Sequence, residues 1–201
     1  MKIIGITGGV GSGKSRVLAY IEETYEAVIC QADQVAWDLQ APGEVCYQAI
    51  VDYFGTDILN ENLTINRKLL AEIVFTDLNK LHKLNAIMHP AVKAKINELI
   101  KIERKKRTRI FVLEAALLIE EHYDEICDEL WYISTDEKIR RDRLKQSRNY
   151  SDEKISSIFA TQLSEQEFRN KCQRVILNNG LFEETQEQID EYMIQLGVNS
   201  R

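Results

Sequence analysis

Five short runs of nearly unbroken apolar residues, rich in β-branched side chains, recur along the chain: KIIGIT (2–7), AVIC (27–30), RIFVLEA (109–115), LWYIS (130–134) and RVILN (174–178). Segments with helical spacing lie between them. Strands apolar on both faces, alternating with helices, predict an α/β fold with a parallel sheet covered on both sides. The first helix is predicted over 14–23, with Val17, Leu18 and Ile21 on one face. From about 36 to 105 the period is helical throughout, and no strand candidate stands out. Pro42-Gly43 and Gly55 punctuate the first part. His89-Pro90 reads as the opening of a long helix ending near KIERKKRTR (101–109). Some seventy residues exceed an ordinary crossover, so they predict a helical subdomain leaning over one end of the sheet.

The expected organisation is a single domain over 1–201. Its core covers about 1–35 and 108–201, the helical insertion about 36–107, and a helical lid about 137–165. A chain of 201 residues is long enough to bury an independent core.

Charge narrows the partners. Twenty-six Lys and Arg against 32 Asp and Glu give a net charge of −6. That balance argues against nucleic-acid binding through a broad basic field, and any anionic ligand must be held by local donors. No stretch approaches a membrane span, and MKIIGIT runs straight into a glycine loop, unlike a signal peptide. Cys30, Cys46, Cys127 and Cys172 are scattered without a C-x-x-C pair. They read as buried thiols of a reducing cytoplasm. The basic run at 101–109 reads as a solvated helix end, so no obligate protein partner is evident.

The most specific chemistry lies at GGVGSGKS (8–15), which fits G-x-x-x-x-G-K-[ST] between a predicted strand and a predicted helix. Gly8, Gly9, Gly11 and Gly13 let successive N–H groups turn inward as an anion nest, with Ser12 in the same loop. The helix N-terminus adds partial positive charge. Lys14 is expected at the β- and γ-phosphates, and the Ser15 hydroxyl at Mg²⁺. A guanine-reading N-K-x-D is missing: the Asn-Lys pairs continue as NKLH (79–82) and NKCQ (170–173). DYFG (52–55) matches D-x-x-G by letters but lies in the helical insertion. A switch GTPase is therefore disfavoured. Glu114 closes an apolar strand, as in many ATPases, a feature that alone does not discriminate; it is expected to orient a metal-bound water and is counted among the substrate-binding residues.

A small-molecule kinase needs a carboxylate near its acceptor and a cationic lid. Asp33, in CQAD just past the second strand, can accept or orient a hydroxyl proton. It can equally cap the helix QVAWDL, and position alone leaves both open. The lid candidate is DEKIRRDRLKQSRNYSDEK (136–154). Lys138, Arg141, Lys145 and Arg148 share one stripe there, while Arg140 and Arg143 point elsewhere.

With these residues assembled, the chain resembles the dephospho-coenzyme A kinase family over nearly its whole length. The likeness runs through GITGGVGSGKS (5–15), ADQVA (32–36), APG (41–43), FGTDIL (54–59) and NRKLLAEIVF (66–75). It continues in LNAIMHP (84–90), EAALLIE (114–120), RLKQSRNYS (143–151), QLSEQEF (162–168) and VILNNG (175–180). The resemblance implies a P-loop NTPase fold with a five-stranded parallel sheet, a helical acceptor-binding subdomain and a lid. It implies a cytoplasmic enzyme acting on two small molecules, ATP and dephospho-CoA, with Mg²⁺. The γ-phosphoryl would pass to the ribose 3′-hydroxyl, in the last step of coenzyme A biosynthesis.

By the same resemblance Asp33 faces that hydroxyl, and Arg143 and Arg148 are lid arginines. Asn178 and Gly180 lie near the ATP base, and Arg67 and His89 fall in acceptor-side blocks. Three positions depart from the family pattern: Gln31 in place of a frequent Asp, Trp37 in place of a frequent Arg, and Ala116 in place of a frequent Pro. Another nucleoside or nucleotide kinase of the same fold is the alternative.

Overall fold

The structure, a computed structural model, describes residues 1–200. Five strands, β1 (Lys2–Thr7), β2 (Val28–Gln31), β3 (Ile110–Glu114), β4 (Glu129–Ser134) and β5 (Arg174–Leu177), form one sheet in the order β2-β3-β1-β4-β5. β1 is central and pairs in parallel with β3, Ile4 opposite Val112, and with β4, Ile6 opposite Trp131. Each predicted strand is present to within a residue or two. An apolar side chain on either face of these strands finds cover, which is why the runs are continuous and not alternating.

Ile4, Ile6, Ile110, Val112, Trp131, Ile133 and Ile176 join Val17 and Ile21 of α1 (Lys14–Tyr25) and Ile189 and Met193 of α9 (Phe182–Gln195) in one core. Each fully buried aliphatic side chain contributes about 1.5–3 kcal/mol of transfer free energy. Asp190 of α9 accepts hydrogen bonds from Tyr20 and Tyr25 of α1 at 2.7 and 2.6 Å, which ties the two helices together. Burial, reinforced by the Asp190 bond and charge, pushes both phenols above their ordinary range.

The chain divides into two compact units, Met1–Ile29 with Glu103–Arg201, and Cys30–Ile102. Between β4 and β5 the first unit holds α6 (Glu137–Arg148), α7 (Asp152–Ala160) and α8 (Glu165–Lys171). The second unit holds α2 (Ala32–Asp38), α3 (Tyr47–Phe54), α4 (Arg67–Phe75) and most of α5 (Leu78–Lys105). Asn66 caps α4 by accepting from Leu69 N at 3.1 Å.

Two expectations change here. First, α5 does not open at His89-Pro90. It begins at Leu78, where Asp77 Oδ1 accepts from Asn79 N and Lys80 N at 2.9 and 3.3 Å, and Pro90 lies inside it. Proline removes one helical N–H. The buried stripe Met88, Val92, Ile96 and Ile100 nevertheless runs through the site and holds the helix together. Second, Asp33 is not a helix cap. Gln31 occupies that position without a side-chain bond, and Asp33 lies in the first turn of α2.

Candidate active site

β1 ends at Thr7 and α1 begins at Lys14, so residues 8–13 form the phosphate loop between them. Gly13 caps α1 in the left-handed region, with φ 89°, and a side chain there would collide with Asn178 Nδ2. Gly11 is also left-handed, φ 84°, with the Arg140 carbonyl 3.0 Å from where a Cβ would stand. The first turn of α1 carries no acidic residue and no side-chain cap. Its N–H groups and positive end are therefore available to an anion. The buried hydroxyls of Thr7 and Ser12 have no hydrogen-bond partner among the described residues. Two unsatisfied hydroxyls beside a glycine cradle fit a site made for phosphate oxygens.

Lys14 Nζ donates to the Gly8 carbonyl at 2.7 Å and stands 3.8 Å from Glu114 Oε1. Glu114 closes β3 opposite Ile6 and is 8 % exposed. The lysine is thus drawn over the loop by a carbonyl and a carboxylate, both of which a phosphate can outbid as a stronger acceptor.

Arginines from α6 clasp the loop. Arg140 Nε donates to Val10 O at 2.9 Å and Nη2 to Gln162 Oε1 at 2.7 Å, while its guanidinium lies 4.1 Å over Phe159. Gln162 Oε1 also accepts from Val10 N at 3.3 Å. Arg140 covers Gly9 so closely that any side chain there would meet its guanidinium. Arg143 Nη1 donates to Ser12 O at 3.3 Å and Nη2 to Asn178 O at 2.9 Å. Burial lowers the pKa of both arginines, and neighbouring Arg16 lowers that of Arg143 further. Two guanidiniums held partly out of water beside the nest favour binding of a polyanion.

The family model described as CoaE, dephospho-CoA kinase, matches residues 2–184. The chain belongs to the dephospho-CoA kinase family. A dephospho-CoA kinase of Streptococcus mutans is 38 % identical over 199 residues, covering 97 % of this chain and 98 % of the relative. One from Fusobacterium nucleatum is 35 % identical over 190 residues, with 94 and 96 % coverage. Among solved structures, TT1252 from Thermus thermophilus superposes with a TM-score of 0.79 at 24 % identity, covering 97 % of both chains. Dephospho-CoA kinase from Campylobacter jejuni does so at 0.74 and 23 %, covering 98 % of both. A shikimate kinase from Acinetobacter baumannii, in complex with shikimate, reaches 0.57 at 11 % identity over 98 % of this chain and 94 % of that one. These neighbours share the P-loop kinase fold.

Within this dephospho-CoA kinase family chain, the remaining sequence-predicted residues take varied positions. Ser15 is exposed on the first turn of α1. Arg148 is exposed at the end of α6, 6.0 Å over Tyr150. Gly180 follows β5, close beneath the Glu184 carboxylate. Asn178 is 5 % exposed, and its side chain reaches Ser12 O at 2.7 Å, so it meets the loop backbone directly.

In the second unit, Asp33 is exposed and bonds to no other group among the described residues. Arg67 lies 4.8 Å over the Trp37 ring, on a shallow cleft of about 100 Å³ also lined by Gln40, Pro42 and Ile65. His89 is half-buried within α5.

Sequence reasoning missed Arg140, Gln162, Thr135 and Thr185. For Arg140 a signal existed. Leu144 is the buried residue of α6, and Arg140, four positions earlier, shares its face. The stripe through Lys138, Arg141 and Lys145 is the solvent side, where Arg141 and Lys145 pair with Asp152 at 3.8 and 2.8 Å.

Proposed function

We propose that this chain transfers the γ-phosphoryl group of ATP to the ribose 3′-hydroxyl of dephospho-CoA, giving coenzyme A and ADP. The observation that carries the reading is the match of the family model across residues 2–184, with the phosphate loop intact within it. Transfer is direct. The loop N–H groups and α1 hold the β- and γ-phosphates, and Lys14 exchanges Gly8 O for a phosphate oxygen.

The Ser15 hydroxyl would hold Mg²⁺, with Glu114 orienting its water, and the ion would supply charge neutralisation between the β- and γ-phosphates. Asp33 aligns the acceptor hydroxyl. Its support is its position two residues beyond β2 and a carboxylate that no other group engages. Arg143 and Arg148 stabilise the oxygens as charge redistributes, while Arg67 and His89 contact the acceptor. The loop after β5, with Asn178 and Gly180, flanks the nucleotide. Phosphoryl transfer has a loose transition state, so positioning and electrostatics outweigh proton abstraction. The unpaired thiols suit a reducing cytoplasm.

The test is product analysis with ATP, Mg²⁺ and dephospho-CoA, alongside nucleoside monophosphates as competing acceptors. Coenzyme A bearing a new 3′-phosphate is the expected product, located by ³¹P NMR. Faster phosphorylation of a nucleoside monophosphate would overturn the assignment in favour of another kinase of this fold.

A further inference from the structure

The Ser12 carbonyl is the most heavily bonded acceptor of the phosphate loop. It takes Asn178 Nδ2 at 2.7 Å, Thr135 Oγ1 at 3.0 Å and Arg143 Nη1 at 3.3 Å. A carbonyl can only accept, so the carboxamide edge facing it must be the NH₂ edge, and Asn178 Oδ1 must turn the other way. What meets Oδ1 is Thr185 of α9, which is fully buried. Its Oγ1 stands within donating distance of two acceptors, Leu177 O at 3.1 Å and Asn178 Oδ1 at 3.2 Å, which share its one proton. Thr185 sits one residue beyond the segment matched by the family model.

The consequence for the loop follows from peptide geometry. In a planar trans peptide the C=O and the following N–H point in opposite directions. Pinning Ser12 O into the buried donors therefore fixes where the Gly13 N–H points, and this is a group of the anion nest. We infer that Thr185 is a positioning residue for nucleotide binding: by holding Asn178 Oδ1 it sets the carboxamide, which sets the Ser12–Gly13 peptide. The inference rests on the ATP-using reading above, but not on the identity of the acceptor. Thr185 touches no phosphate and acts only through Asn178.

The test uses Thr185→Val, which keeps the shape and deletes the hydroxyl, and Thr185→Ser, which keeps the hydroxyl. Two readouts are taken: KM for ATP against KM for dephospho-CoA, and Kd for ADP by titration without acceptor. Thr185→Val is expected to raise the ATP KM and the ADP Kd about fivefold to 150-fold, the range for a buried hydrogen bond left unmade. The acceptor KM should stay within about twofold, and Thr185→Ser should restore wild-type values. In an Asn178→Ala background Thr185→Val should add nothing further, because the relay is already cut.

An ADP Kd unchanged by Thr185→Val, or the same increment with and without the Asn178 side chain, overturns the inference. Should Thr185→Val not fold, Thr185→Ala deletes the same hydroxyl with a smaller side chain and predicts the same ADP-side loss. An unchanged ADP Kd in that variant is equally fatal. Because ADP titration needs no turnover, a wrong acceptor assignment would leave this result standing.

Discussion

A methyl group placed on Gly13 incurs two separable costs. The residue sits at φ 89° and ψ 19°, where an L side chain loses about 1–2 kcal/mol to its own backbone. The new Cβ would also fall on Asn178 Nδ2 and stand 3.3 Å from Arg143 Nη1. The carboxamide must then leave Ser12 O, stranding a donor in a site only 5 % exposed, which costs about 1–3 kcal/mol more. Gly13→Ala is therefore expected to destabilise by about 2–5 kcal/mol in total.

Urea unfolding followed through fully buried Trp131 gives the number. Two comparisons divide it. Gly43 has φ 88° and open space around its missing Cβ, so Gly43→Ala should show only the backbone cost of about 1–2 kcal/mol. In an Asn178→Ala background the collision is gone, and Gly13→Ala should fall to about that same value. A loss below about 0.5 kcal/mol, or an equal loss with and without Asn178, would refute the claim that the carboxamide packs against this glycine.

Asp33→Asn should lower turnover by about 10²–10⁴ while leaving the KM for ATP nearly unchanged, and wild-type turnover would remove Asp33 from the reaction. Arg148→Ala should reduce turnover by about 10²–10³, read by initial rates at saturating substrates, and normal turnover would contradict its assignment as a lid arginine. Burial pushes the Cys127 thiol from 9.0 up to about 12, with Asp124 and Asp128 adding to the effect. The folded state holds that proton more tightly than the unfolded chain, so its contribution to stability is complete below pH 9 and declines as pH climbs toward 12. Cys127→Ala should flatten the alkaline fall in urea midpoint between these values, and an unchanged slope would count against the buried-thiol argument.

The sheet was readable in advance because parallel strands buried on both faces leave no polar letters to confuse the period. Lys2–Thr7 and Ile110–Glu114 are fully apolar apart from their ends, and both lie within the predicted runs. The phosphate loop was legible for a different reason: its glycines, lysine and serine stand at fixed offsets imposed by the chemistry of an anion nest. The start of α5 was misread because proline is a strong local signal and a tertiary stripe a weak one. Asp77, a good capping residue, marked the true start. Arg140 was placed off the basic stripe without a role because a helix this charged offers two plausible faces, and only contact with Val10, Gln162 and Phe159 distinguishes them.

The residues that hold the loop could not be read from the motif, and the motif's own composition explains why they are needed. Four of the six residues from 8 to 13 are glycine, which gives the loop its shape but also the largest conformational entropy to lose on ordering. Inside the loop a single backbone bond, Ser12 N to Gly9 O at 3.1 Å, offsets that loss. Lys14 adds a local bond to Gly8 O, and the remaining side-chain restraints come from distant sequence: Thr135 after β4, Arg140 and Arg143 on α6, Gln162 after α7, and Asn178 after β5, itself held by Thr185 on α9. A nest with only its glycines would bind phosphate by ordering itself at each encounter and would forfeit affinity to that entropy. One already fixed at both Val10 and Ser12 loses little more when the anion arrives. On the proposed function, nucleotide affinity draws on the neutral side chains behind the loop as well as on the cations in front of it.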